Sequence, residues 1–281
     1  MNVFAKVLLA VASTTAAGAV ALPAMALNVS SSSVNSDLLN SLLGNTAGLS
    51  NFNITSTGNP SAFGLFSNDT VFGLGSGVVL STGDVNNVVG PNDSTSKSTV
   101  FGNPGDPSIP GSNDLAKLDI SFDADNTVDK LFFQYVFGSE EFLEFAGSSF
   151  NDTFQLLLNG TNFALLSNGQ QVTINNLAAS PGGPFNPAFV SNTGNETQLD
   201  GYTNVLSFEG LLNKNAQNIL SIKIADVGDS SLDSAVFIKG GTVGVQPPNQ
   251  VPTPALLPGL IGLGVAALRK RKGEAKAEVN A

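Results

Sequence analysis

Lys130–Phe154 reads KLFFQYVFGSEEFLEFAGSSFNDTF. Leu131, Phe133, Tyr135 and Phe137 fall on one side of an alternating pattern, with Phe132 and Val136 on the other. Alternation with a period of two predicts a strand, and apolar residues on both sides predict one buried on both faces, at the centre of a sandwich. The run stops at Gly138. Glu140, Glu141, Glu144 and Asp152 follow before the next apolar run, Phe154–Leu158. Carboxylates this dense between aromatic-rich strands are costly unless donors or positive charge meet them.

The rest of the chain offers little positive charge. Between Leu27 and Val251 there are 20 Asp and Glu against 6 Lys and no Arg. A body this acidic repels nucleic acid and anionic head groups, so no nucleic-acid partner is expected. The absence of Cys and His excludes disulfides, thiolate metal sites and imidazole catalysis. An exported protein without disulfides fits a bacterial source better than a eukaryotic one. With 281 residues of which 42% are hydrophobic, the chain suffices for a sizeable core.

Outward from the central strand, Lys117–Phe122 puts Leu118, Ile120 and Phe122 on one face. Phe154–Leu158 ends at Asn159-Gly160, a hairpin turn signal, with Phe163–Leu166 as its expected partner. Further strands are expected at Phe52–Thr57, Ala62–Phe66, Val71–Leu74, Gly77–Thr82, Gln171–Ile174, Asn204–Phe208, Ile219–Ala225 and Ser234–Lys239. Ser36–Leu43, stopped by Gly44, is the one helix candidate. Two long polar segments, Gly83–Leu115 and Ala178–Gln198, exceed ordinary connections and read as functional or mobile loops. Many short strands with one helix predict an all-β fold, an antiparallel, jelly-roll-like β-sandwich.

The two ends differ from the body. Residues 1–26 have a lone basic Lys6, an apolar stretch Val7–Ala21 and Ala24-Met25-Ala26, which predict a signal peptide cleaved after Ala26. The body is then 27–245. Residues 246–281 open with a Pro-rich linker, continue through an apolar run from Ala255 to Leu268 and carry the basic cluster Arg269–Lys272. As a helix that run spans about 21 Å against a hydrocarbon core of about 30 Å, which suits transient rather than permanent membrane insertion. The basic cluster keeps its end cytoplasmic and the body outside.

Pro252-Thr253-Pro254-Ala255, the short apolar helix and the basic cluster resemble a PEP-CTERM sorting signal in the PTPA variant common in cyanobacteria. The resemblance implies an exosortase-type sorting protease as partner and removal of the tail. The body resembles the choice-of-anchor L domain. The resemblance rests on Gly77–Gly83 (GVVLSTG), Val136–Phe154, Leu199–Thr203 (LDGYT) and Ala225–Ile238 (ADVGDSSLDSAVFI), and implies an exported cell-surface or extracellular-matrix protein with no assigned activity.

Asp226, Asp229 and Asp233 form a D-x-x-D-x-x-x-D loop in which Gly228 permits a sharp turn. With Glu140, Glu141, Glu144 and Asp152 they form a candidate oxygen-only site for a hard cation, of which Ca2+ is the leading choice outside a cell. The competing reading is that these acids cap turns. A glycosidase-like pair, Glu141 with Asp226, is the catalytic alternative, but the body has no His, Trp or Arg to contact a substrate. No catalytic residue or organic cofactor is therefore expected. The remaining alternative is a carbohydrate-binding module for extracellular polysaccharide, using the two long loops, with Tyr202 as its one polar aromatic candidate.

Overall fold

The computed structural model describes residues 27–194 and 196–248, and its described residues up to Val245 form one compact unit. Cleavage after Ala26, the Pro252–Ala255 motif and the apolar and basic tail all lie outside the described residues. Thirteen strands run in order: β1 Asn28–Ser31, β2 Leu49–Thr57, β3 Phe63–Asp69, β4 Gly75–Ser81, β5 Ser112–Ala124, β6 Lys130–Ser139, β7 Thr153–Leu158, β8 Thr161–Asn162, β9 Phe189–Ser191, β10 Gly201–Thr203, β11 Leu206–Leu211, β12 Ala216–Val227 and β13 Ser234–Lys239. Helix α1 is Asn35–Leu42 and a single turn, α2, is Ile174–Leu177.

Two antiparallel sheets result. One has the order β1-β3-β4-β13-β6-β10-β9, with β11 also paired to β6, and the other the order β2-β5-β12-β7-β8. The expected sandwich is what forms. Between the sheets lie Phe133, Tyr135 and Phe137 of β6, Val236 and Ile238 of β13, Leu118, Ile120 and Phe122 of β5, and Leu220, Ile222 and Ile224 of β12. Each set is spaced by two residues, so one face of each strand supplies the core.

The outer face of the larger sheet carries a second apolar layer. Val136, Ala235 and Phe237 pack there with Phe72, Leu74, Val85, Val88 and Leu199. That layer is why β6 is apolar on both sides. Val85 and Val88 bring the start of the first long loop onto that layer, while the later part of the loop docks on the smaller sheet: Asp106 pairs with Lys223 of β12 at 2.8 Å, and Asp114 of β5 accepts from the Phe101 and Asn103 N–H groups.

Three expected strands are corrected. Val71–Leu74 is a turn instead, because the Val71, Phe72, Leu74 and Gly75 N–H groups all donate to the Asp69 carboxylate. The hairpin partner of β7 is Thr161–Asn162, not Phe163–Leu166, since the Asn162 side chain accepts from the Leu156 and Ala164 N–H groups and bends the chain away. Gln171–Ile174 makes only isolated bridges and runs into α2, whose first turn Thr173 caps through the Asn176 N–H. Strands β1, β9 and β10 have no counterpart among the expected elements.

Candidate functional site

The carboxylates gather at one end of the sandwich, where β6, β10 and β13 of one sheet meet the ends of β7 and β12 of the other. Ser139 at the end of β6 pairs with Ser234 of β13 on one side and Gly201 of β10 on the other. Phe133, Tyr135 and Phe137 point into the core, so Ser139 and Glu141 continue inward while Glu140 turns outward. Adjacent acids in sequence thus serve opposite faces.

The inner group is built around Ser234. Its hydroxyl donates to Asp152 Oδ2 at 2.7 Å and lies 2.8 Å from Ser139 Oγ. Asp152 Oδ1 accepts from the Val227 N–H at 2.9 Å. Asp226 hydrogen-bonds the Asp152 carboxyl, and burial together with that neighbour pushes Asp226 far above the usual carboxylate range. Two buried carboxyls facing each other cannot both ionise cheaply, so the pair retains a proton.

Glu141 is 0% exposed, and neither of its oxygens has a hydrogen-bond partner. Burial first, then the charges of Asp152, Asp229 and Glu144, pushes it up to about 9. Asp229 is half-buried and Glu144 exposed, so they stand at the rim of this group.

The outer group comprises Glu140, Asp200 and Asp233. Burial and the charge of Asp200 push Glu140 up to about 8, although the Lys97 backbone and the Gln198 side chain pull it down. Asp233 accepts from the Thr99 N–H at 2.9 Å and, at 3.4 Å, from the Asn87 amide. Burial raises it to about 6, against those two donors. Gly83 is needed here, because a Cβ at that position would collide with the Asp233 carboxylate. Asp200 accepts from Asn92 at 2.6 Å, and burial lifts it to about 6 as well.

The six expected ligands are therefore brought to one end in two adjoining groups, Glu141, Asp226, Asp229 and Glu144 in one and Glu140 and Asp233 in the other. The two feel each other: on top of burial, the Asp233 charge raises Asp226 and the Glu144 charge raises Asp200. Sequence reasoning missed Asp200, although it immediately precedes a short strand that pairs with β6. It also missed Asp114, which takes φ 43° where β5 advances one extra residue opposite Ile224–Asp226. Such a bulge re-aims a side chain. Salt bridges among the described residues join Lys117 to Asp119, Lys130 to Glu209 and Lys223 to Asp106, and none reaches this cluster. Among the described residues no three Asp or Glu side chains already stand arranged to hold a metal ion, so a cation would have to draw the carboxylates together.

Taken together, fold and site define an acidic antiparallel β-sandwich with buried carboxylates gathered at one end. A family model for the choice-of-anchor L domain matches residues 27–244, and the chain belongs to that family. It is a surface-anchoring domain family, which makes this an exported, surface-associated protein. Comparison with curated proteins gave no match, and comparison with solved structures gave none.

Proposed function

We propose that this is a non-enzymatic cell-surface or matrix protein whose sandwich binds calcium at the inner acidic group and whose tail directs its sorting. The observation that carries the cation reading is Glu141, fully buried with both oxygens lacking a donor. A turn-capping acid looks different: Asp69 accepts from four backbone N–H groups. Oxygen ligands from Glu141, Asp152, Asp226 and Asp229 suit a hard cation, and calcium tolerates the irregular geometry that magnesium does not. Glu141 and Asp226 are 0% and 1% exposed, which keeps a polysaccharide from reaching them and weighs against hydrolysis.

The test is thermal melting of metal-stripped protein. Calcium sites outside cells often bind at about 0.1–1 mM. Roughly tenfold excess over Kd adds about 1.4 kcal/mol, a rise of a few degrees in Tm. Chelator should reverse the rise, and Glu141→Gln should abolish that of the inner group. Asp119→Asn, an acid paired with Lys117 on β5, should leave it intact. A melting curve indifferent to calcium and chelator sinks the reading. For the tail, the intact mass of protein recovered from the cell surface should lack Arg269–Ala281; a mass that includes them refutes sorting.

One observation favours the carbohydrate reading as an alternative. Phe185, in the second long loop, is 45% exposed and stacks on Phe189 with ring centroids 5.2 Å apart. Tyr202 offers less, since its ring meets Phe72 edge-on at 5.1 Å. Binding on a glycan array that is lost in Phe185→Ala would support this reading, and no binding would end it.

A further inference from the structure

The charge of this body is spread unevenly along the chain. Of the 20 Asp and Glu between Leu27 and Val251, only Asp37 and Asp69 precede Gly83; the other 18 and all 6 Lys follow it. Residues 38–68 carry no charged side chain at all. The fold gathers this nearly neutral first segment on one flank. It supplies β1, an edge strand of the larger sheet, and β2, an edge strand of the smaller. Across the core β4 packs against β5 and β12 against β13, so both edges fall on the same side. Helix α1 lies beside them, touching β2, β3 and β4.

Strand β2 is the longer of the two edges, and among the described residues no strand pairs with its outer side. Unpaired backbone groups invite another strand, and edges are usually blunted by lysine, proline or inward charge. β2 reads LSNFNITST and has none of these. Asn53, Thr55 and Thr57 are exposed on its outer face. Asn35 of α1 donates to the Ile54 carbonyl at 3.2 Å, so the Ile54 backbone groups point away from β5. By the alternation of an antiparallel ladder, those of Ser56 do the same. A carbonyl has two lone pairs, so the Asn35 bond leaves Ile54 able to accept another.

We infer that β2 pairs antiparallel with β2 of a second copy, joining two smaller sheets edge to edge through the neutral flank. Charge selects this occupant. Two bodies this acidic repel each other, and they come within the roughly 5 Å of a strand pair most cheaply where neither carries charge. The strand is also complementary to itself. With Ile54 of each copy opposite Ser56 of the other, both pairs exchange N–H···O bonds around a two-fold axis through Thr55. Thr55 then faces Thr55 and Asn53 faces Thr57, uncharged cross-strand pairs that suit a sheet. Nothing in this pairing depends on a bound cation.

The test uses the exported protein recovered from the cell surface, kept in chelator, with mass followed by analytical ultracentrifugation over a concentration series. A monomer–dimer equilibrium is expected, and salt should tighten it by screening the repulsion between acidic bodies. Thr55→Glu should weaken it about tenfold, because like charges then stand opposite each other. Thr161→Glu, on the edge strand β8 of the same sheet, adds the same charge and should change it little. Ser56→Pro removes an outward N–H that β5 does not use, and should give monomer with Tm kept. The chain has no Cys, so Thr55→Cys should form a disulfide-linked dimer on oxidation and Thr161→Cys should not. Crosslinking decides if Ser56→Pro lowers Tm. Monomer at every concentration overturns the inference, as does a dimer that Thr55→Glu leaves intact. Equal crosslinking of Thr55→Cys and Thr161→Cys also overturns it. Association that salt weakens would mean pairing through charge, and overturns it too.

Discussion

Asp69 and Glu141 are both buried acids, at 6% and 0% exposure, and their surroundings separate scaffold from site. Asp69 organises the turn after β3 by accepting from four backbone N–H groups. Asp69→Ala should cost about 3 kcal/mol in chemical denaturation, because several buried donors lose their acceptor, while the calcium-induced rise in Tm stays intact. Loss of the rise along with stability would show that Asp69 supports the cation site and not only the turn. Glu141 has nothing comparable to lose. The distinction is invisible in the local sequence, where Asp69 lies between Asn68 and Thr70 and Glu141 between Glu140 and Phe142; only the count of donors around each oxygen makes it.

At the scale of elements, the first long loop is held by a buried ion pair. Lys223 of β12 meets Asp106 at 2.8 Å, with the two side chains 10% and 11% exposed. Burial alone would raise the Asp106 carboxyl, but hydrogen bonds from Lys223 and Ser108 and the Lys223 charge outweigh it and hold the group at about 2. A depressed carboxylate contributes stability above its unfolded value, near 3.8, and that contribution is lost as pH falls toward about 2. Lys223→Met strands a buried charge, so a loss of about 3 kcal/mol is expected. Faster trypsin cleavage after Lys97 should accompany it. Cleavage unchanged from wild type would mean that the pair does not anchor the loop. The length of 83–115 marked it as unusual, but no local pattern tells a docked loop from a mobile one. Docking depends on Lys223, more than a hundred residues away.

At the scale of the molecule, the acidic end sets the pH response. Glu140 and Glu141 are raised to about 8 and about 9 by burial and neighbouring carboxylates. A raised carboxyl binds more protons folded than unfolded, so stability falls as pH rises through the window from about 4.5 to about 9. Without metal, Tm should therefore be higher at pH 5 than at pH 9. Saturating calcium should flatten the decline, because the ion replaces the protons. Melting across that range, with chelator and with calcium, checks both. A metal-free Tm that rises from pH 5 to pH 9 would show that these carboxylates are not held protonated by the fold.

The sequence alone determined the sandwich and most of its core. Leu131–Phe137 and Leu118–Phe122 carry the period-two pattern that puts alternate residues on one face, and Asn159-Gly160 specifies a turn by its own backbone preferences. Those are local properties, so they can be read from neighbours along the chain. It also brought the acids of 140–152 and 226–233 under suspicion together. Tertiary structure decided the rest. Val71–Leu74 has the composition of a strand but gives its N–H groups to Asp69, and Asp200 comes near Glu140 only because β10 pairs with β6. The division of Glu140 from Glu141 follows from strand alternation. What lies on each face had to come from elements paired across more than fifty residues, and partner choice among strands is set by the packing of whole sheets.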